Sequence, residues 1–146
     1  MFRALITLVL SGLMLLVPAS AEQKMQVGKY AIHYVSFGST FLTPEVAKAY
    51  GISRSRYTGL VNVSVIDTSI QGDTSHTVAV SISGNAKNLL GSNKSLDFKE
   101  VREGDAIYYI AEVGHRNEET YTFDIQLDNG SDLNTRLQFQ QKFYVD

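Results

Sequence analysis

The 146-residue chain contains no cysteine and no tryptophan, and only two prolines. Without cysteine there is no disulfide framework, no thiolate metal site, no thiol nucleophile and no lipid-modified N-terminal cysteine. Neither sign of charge dominates: 13 Lys+Arg stand against 15 Asp+Glu, and charged residues are 19% of the chain. That balance gives no electrostatic reason to expect nucleic-acid binding. A hydrophobic fraction of 44% with so small a net charge also excludes a disordered chain. The length fits one domain.

The chain has one long apolar run, at its start. Arg3 precedes residues 4–17, Pro18 breaks the run, and Ala19-Ser20-Ala21 has the small-x-small form of a signal-peptidase site. About 14 apolar residues are too few for a transmembrane helix, which needs about 20. Residues 1–21 therefore read as a signal helix, cleaved on export, and residues 22–146 as a single periplasmic domain with no stable membrane insertion. Cleavage removes Arg3 and leaves 12 Lys+Arg against 15 Asp+Glu. A chain this long buries enough surface to fold without disulfides.

The remainder alternates with period two, the mark of half-buried strands. Tyr30-Ile32-Tyr34, Val61-Val63-Val65, Val78-Val80-Ile82, Leu96-Phe98, Tyr121-Phe123-Ile125-Leu127 and Leu137-Phe139-Phe143-Val145 each line one face. Residues 106–113 are apolar on both faces apart from Glu112 and read as a central strand. Turn chemistry lies at Gln71-Gly72-Asp73, Gly84-Asn85, Glu103-Gly104-Asp105 and Asp128-Asn129-Gly130-Ser131. Seven strands with such turns predict an all-β, immunoglobulin-like antiparallel sandwich. A small barrel is the alternative. One short helix is expected between strands one and two. Thr43 caps it, Pro44 suits its first position, Glu45 faces the positive end of the dipole, and Gly51 closes it.

Around this helix the sequence resembles a known family. TFLTPEVAKAYGISRS (40–55), NLLG (88–91), LDFKEVREGDAIYYIAE (96–112), NEET (117–120) and QKFYVD (141–146) are similar to motifs of a family of small exported gammaproteobacterial proteins. That family is known only as a domain of unknown function. The resemblance implies a periplasmic bacterial protein and no activity.

No catalytic pattern is present. There is no G-x-S-x-G, no phosphate-binding glycine loop and no HExxH. His33, His76 and His115 lack metal-ligand spacing and read as surface or edge residues. Glu118-Glu119, and Glu100 with Glu103, read as solvated acids rather than as a facing catalytic pair. The expectation is a non-enzyme without cofactor or metal.

Strand parity points to one end of the sandwich. If consecutive strands alternate in direction, the connections 38–57, 84–93 and 114–119 meet at the same end. The candidate binding residues collect there: Phe41, Thr43, Glu45, Tyr50, Arg54, Arg56, Asn88, Leu89, Leu90, His115, Arg116, Asn117 and Glu118. Either the helix and Leu89-Leu90 plug the mouth of the sandwich, or these loops bind an unknown protein or envelope component. A pocket there, for a carried small ligand or for catalysis, is the alternative. The opposite end gathers Asp67, Asp73, Glu103, Asp105, Asp128 and Asp132, with Arg102 the only nearby cation. Turns favour Asp, and a calcium-stabilised structural module is the second alternative. The last strand, if it lies at a sheet edge, offers pairing to another chain.

Overall fold

The computed structural model describes residues 22–70 and 76–145. It has nine strands rather than seven: β1 (Gln23–Val27), β2 (Tyr30–Gly38), β3 (Thr58–Asp67), β4 (Ser81–Asn88), β5 (Asn93–Leu96), β6 (Lys99–Glu103), β7 (Ala106–Gly114), β8 (Glu119–Asp128) and β9 (Asn134–Phe143). They form two antiparallel sheets, in the orders β1-β2-β3-β7-β6 and β5-β4-β8-β9. Two separate sheets make a sandwich and set the small barrel aside. The predicted signal segment, the Gln71-Gly72-Asp73 turn and the terminal Asp146 lie outside the described residues.

The core forms where the alternating apolar residues of the two sheets meet. Ile32, Val61, Val63, Val65, Ala111 and Val113 face Ala86, Phe123, Ile125, Leu127, Leu137 and Phe143. Phe123 is central, with ring centroids 5.0 Å from Phe139 and 6.2 Å from Phe143.

The two extra strands arise at places where alternation misleads. β1 is a polar edge strand, QKMQV, joined to β2 by the two-residue turn Gly28-Lys29. Leu96 and Phe98 alternate like one strand, but Leu96 ends β5 in one sheet and Lys99 opens β6 in the other. Val78 and Val80 precede β4 and belong to a segment crossing between sheets, with the Val78 N–H bonded to Val65 O at 2.8 Å. Gly84-Asn85 is no turn but lies within β4, paired with Ile125 and Asp124. The final strand stops at Phe143, short of Val145. The turns at Gly104 (φ 61) and Gly130 (φ 78) do fall between strands, where glycine adopts positive φ without strain.

The helix α1 (Pro44–Tyr50) has the expected ends. Thr43 Oγ1 accepts from the Val46 N–H at 3.2 Å, and Gly51 closes the helix at φ 69. Its position is not the expected one. Ala47 and the following Ile52 pack on Leu60 and Ile110, on the outer face of the five-stranded sheet. The helix therefore covers a sheet face and does not plug the sandwich mouth. This explains the apolar residues on both faces of β7: Tyr109 and Ala111 face the core, while Tyr108 and Ile110 lie under α1.

At the acidic end, Lys29 Nζ lies 3.9 Å from Asp67 and 3.3 Å from Asp132. The end therefore carries a cation besides Arg102, contributed by the unforeseen β1–β2 turn. Lys29 offsets part of the negative charge of these two carboxylates. Asp132 Oδ1 also accepts from Asn129 Nδ2 at 2.8 Å and the Tyr30 hydroxyl at 2.7 Å. These bonds, with Lys29, hold its carboxyl at about 2, against an ordinary 3.8. The depressed value favours the ionised form in the folded chain. Its contribution is complete above about pH 5 and is lost progressively as the pH falls through 3.8 and then 2. Asp132→Asn is thus expected to lose less stability than the parent chain between pH 4 and pH 2 in acid-unfolding curves. Equal losses would remove Asp132 as the origin of that slope.

Candidate functional site

The turn between β4 and β5 is closed by backbone bonds from Asn88 N–H to Ser92 O and from Gly91 N–H to Asn88 O, and is braced by one side chain. Asn88 Oδ1 accepts from the Leu90 N–H at 3.1 Å and the Ser92 N–H at 2.9 Å, while Asn88 Nδ2 donates to Glu119 Oε2 at 3.1 Å. Glu119 Oε1 in turn accepts from the Arg116 N–H at 2.9 Å, tying the β4–β5 turn to the β7–β8 turn. Gly91, at φ 89, completes the reversal. The result projects Leu89 and Leu90 into solvent, 78% and 91% exposed. Neither leucine plugs the mouth of the sandwich.

His115 lies beneath this turn and is buried, against the expectation of a surface histidine. Its ring stacks on Phe143 with centroids 4.9 Å apart, and its backbone N–H donates to Tyr57 O at 2.8 Å. Nδ1 is 2.8 Å from Arg116 O, so the donor proton sits on Nδ1. Phe143 in turn fills the space beside Gly59, where a Cβ would lie 2.4 Å from its ring.

An open depression of about 420 Å³ lies between these turns. Asn88, Leu90, His115 and Arg116 line it, together with Lys94, Glu119 and Tyr121. Burial alone pushes the Glu119 carboxyl up, but the Arg116 N–H, the Asn88 amide and the Lys94 charge outweigh it and hold it below the ordinary range. Glu119 was read from sequence as a solvated acid. Its signal was its place at the start of a strand, within reach of the Asn88 turn.

The other expected site residues lie elsewhere or serve the fold. Thr43 and Glu45 belong to the first turn of α1. Tyr50 points to the far end of β6, where its hydroxyl donates to Glu103 Oε2 at 2.6 Å. That bond and partial burial raise the phenol to about 12. Arg54 donates to Thr40 O at 3.1 Å, and Arg56 lies over the Tyr57 ring at 5.8 Å. Phe41 is 78% exposed and meets Phe37 edge-on at 5.6 Å. Asn117 Oδ1 accepts from the Val145 N–H at 2.9 Å, and Glu118 takes the left-handed conformation at φ 58. Leu89 lies on the β4–β5 turn beside the depression.

Arg116 is exposed, and its side chain makes no hydrogen bond or ion pair among the described residues. Arg116→Ala should change unfolding free energy by no more than about 0.5 kcal/mol. A larger loss in a denaturant titration would make this turn structural.

Among the described residues no three of His, Cys, Asp and Glu are placed to hold a metal ion. No helix among them is long and apolar enough to cross a membrane.

A family model described as "Domain of unknown function (DUF4426)" matches residues 24–146. The chain belongs to the DUF4426 family. A solved DUF4426 family protein from Pseudomonas aeruginosa PAO1 is 31% identical to it, with a TM-score of 0.74. The match covers 88% of this chain and 99% of that one. The sandwich is also similar to FetP of uropathogenic E. coli, expressed in the periplasm, at a TM-score of 0.55 and 11% identity. That match covers 85% of this chain and 94% of FetP. A copper-bound single-residue variant of FetP aligns with a TM-score of 0.50 and 12% identity, over 84% of this chain and 89% of that one. At such identities the likeness to FetP concerns the fold alone. No curated protein matches the sequence. The DUF4426 description indicates no catalytic family.

Proposed function

We propose that this DUF4426 chain is an exported, non-enzymatic binding module that contacts a protein or envelope component through its β4–β5 turn. The observation carrying this reading is the exposure of Leu89 and Leu90 on a turn fastened by the Asn88–Glu119–Arg116 hydrogen bonds. A loose loop could fold its leucines inward; this turn holds them out. Apolar side chains presented in this way, on loops of a rigid scaffold, suit a partner surface. The N-terminal segment supports export to the periplasm, and the structurally similar FetP was expressed there. The order β2-β3-β7-β6 facing β5-β4-β8-β9 supports an immunoglobulin-type connectivity, with β1 added at one edge.

In-cell photo-crosslinking tests the proposal, with a probe at Leu89 and a control at Asp128 on the opposite end. A discrete adduct from Leu89 alone is expected. No adduct from either position would sink the reading. The small-ligand alternative is favoured by one observation, the convergence of Lys94, His115, Arg116 and Glu119 on the open depression.

A further inference from the structure

The β4–β5 turn shares its end of the sandwich with three other segments. The register sets Gly38 beside Gly59, Thr58 beside Gly114 and Glu119 beside Phe143. The β2–β3 connection, the β7–β8 turn and the chain after β9 therefore all emerge there. Phe41, Tyr57 and Tyr144 are exposed on these segments, alongside Leu89 and Leu90. The remaining exposed large hydrophobics among the described residues are Val46, on α1, and Ile70, beyond β3 at the opposite end. Cations surround the apolar tips. Arg54, Arg56, Lys87, Lys94, Arg116 and Lys142 lie on these segments or within two residues of them. None meets a carboxylate within ion-pair distance among the described residues. Arg56 lies 5.8 Å over the Tyr57 ring and Lys142 5.6 Å over the Tyr144 ring. Arg54 and Lys94 donate to the carbonyl oxygens of Thr40 and Gly114, which positions them without neutralising them.

Acids are fewer at this end. Glu118 and Glu119 lie on the β7–β8 side, Asp146 falls outside the described residues, and Glu45 on α1 is offset by Lys48. Both Glu119 carboxylate oxygens are already taken, by the Arg116 N–H and the Asn88 amide. At the opposite end the charges reverse: Asp67, Asp105, Asp128 and Asp132 gather there, and Lys29 and Arg102 are both paired with acids. The apolar end is therefore also the positive end. A protein partner fits this composition poorly, because lysine is depleted from protein–protein interfaces and three lysines ring these leucines. An anionic bilayer fits it well. Leucine and aromatic side chains enter the headgroup region while Lys and Arg meet the phosphates. We infer that this end docks on an anionic phospholipid membrane, with Leu89, Leu90 and the exposed rings at headgroup depth and the surrounding cations on the phosphates. The inference rests on the reading of the β4–β5 turn as a contact surface and names what it contacts. The whole chain has a formal net charge of −2, so net charge alone would repel it from such a surface. Binding requires this end to face the membrane.

Co-sedimentation of the mature chain with two vesicle preparations tests it, one of phosphatidylcholine alone and one of phosphatidylcholine mixed with phosphatidylglycerol. The chain should sediment with the mixed vesicles at low salt, bind the neutral ones at least tenfold more weakly, and be released as salt is raised. Arg56→Gln and Arg116→Gln should each weaken binding about fivefold, the loss of one cation near the surface. Leu90→Ser should weaken it about tenfold, the loss of one buried leucine. Arg102→Gln removes the same charge from the opposite end and should leave binding unchanged. All four residues are exposed, so the thermal midpoints should match the parent and lost binding is not lost folding. In the crosslinking experiment at Leu89, the adduct should carry phospholipid. A protein adduct from Leu89 with no vesicle binding overturns the lipid and leaves the turn a contact surface. No adduct and no vesicle binding overturn both. Equal binding to the two vesicle preparations, or equal losses from Arg102→Gln and Arg116→Gln, also overturns the inference.

Discussion

Phe123→Ala is expected to cost about 3–5 kcal/mol of folding free energy. Phe123 is fully buried at the middle of β8, opposite Ala86 on one side and Phe139 on the other. Its ring stacks on Phe139 and meets Phe143 edge-on. Removing it leaves a cavity beside the rings of Tyr121, Phe139 and Phe143, each held by its own neighbours, so collapse recovers little. Urea titration at neutral pH checks the value. A loss below about 1 kcal/mol would mean that β8 turns a different face to the core.

Gly84→Ala should be strongly damaging for the addition of a single methyl group. Gly84 pairs with Ile125 in the interior of the four-stranded sheet. A Cβ placed there would stand 2.6 Å from the carbonyl oxygen of Asp124 and 3.1 Å from Ile125 Cα. Both obstacles are backbone, so relief requires the β4–β8 pairing to open. Overpacking of this kind typically costs about 1–3 kcal/mol. The variant should also raise amide exchange in β4 and β8 above that of β2 and β3. A stability within about 0.5 kcal/mol of the parent would show that the two strands separate without resistance.

Gly84 also shows what was legible in the sequence and what was not. Glycine beside asparagine is the usual signature of a turn, and here the same pair sits inside a strand. A reversal and a close backbone approach both require the absence of a side chain, and a single sequence does not distinguish them. Period-two alternation found most core residues, because it reports which side of the chain faces the core. It does not report which strand lies alongside. Val78-Val80 therefore read as strand while crossing between sheets, and Leu96-Phe98 hid a change of sheet. β1 was missed for another reason: only Met25 and Val27 of this short edge strand pack against the core, too few to mark an alternation.

The site divided in the same way. Parity correctly joined the β4–β5 and β7–β8 turns, as the Asn88–Glu119 bond and the shared depression demonstrate. It misplaced α1, whose caps were readable while its docking surface was not. Tyr50 and Glu103 were assigned to opposite ends, yet they share a hydrogen bond, because α1 lies along the sheet rather than across its mouth. Alternation with Val61 and Val63 places Asn62 on the outward face, and it does not report that its Oδ1 is buried there.

The position of α1 has a dynamic consequence. β3 is paired along both flanks, to β2 and β7, while its inner face meets the core and its outer face lies beneath α1. Water reaches its amides only if a sheet separates or the helix lifts. Local opening is easiest where few buried contacts must break, which describes β1 and β5 and excludes β3. In hydrogen exchange β3 should therefore be slow and β1 and β5 fast, with α1 contributing to the protection of β3. A change that detaches the helix, such as Ala47→Asp, would accelerate exchange in β3 before it affected the opposite sheet.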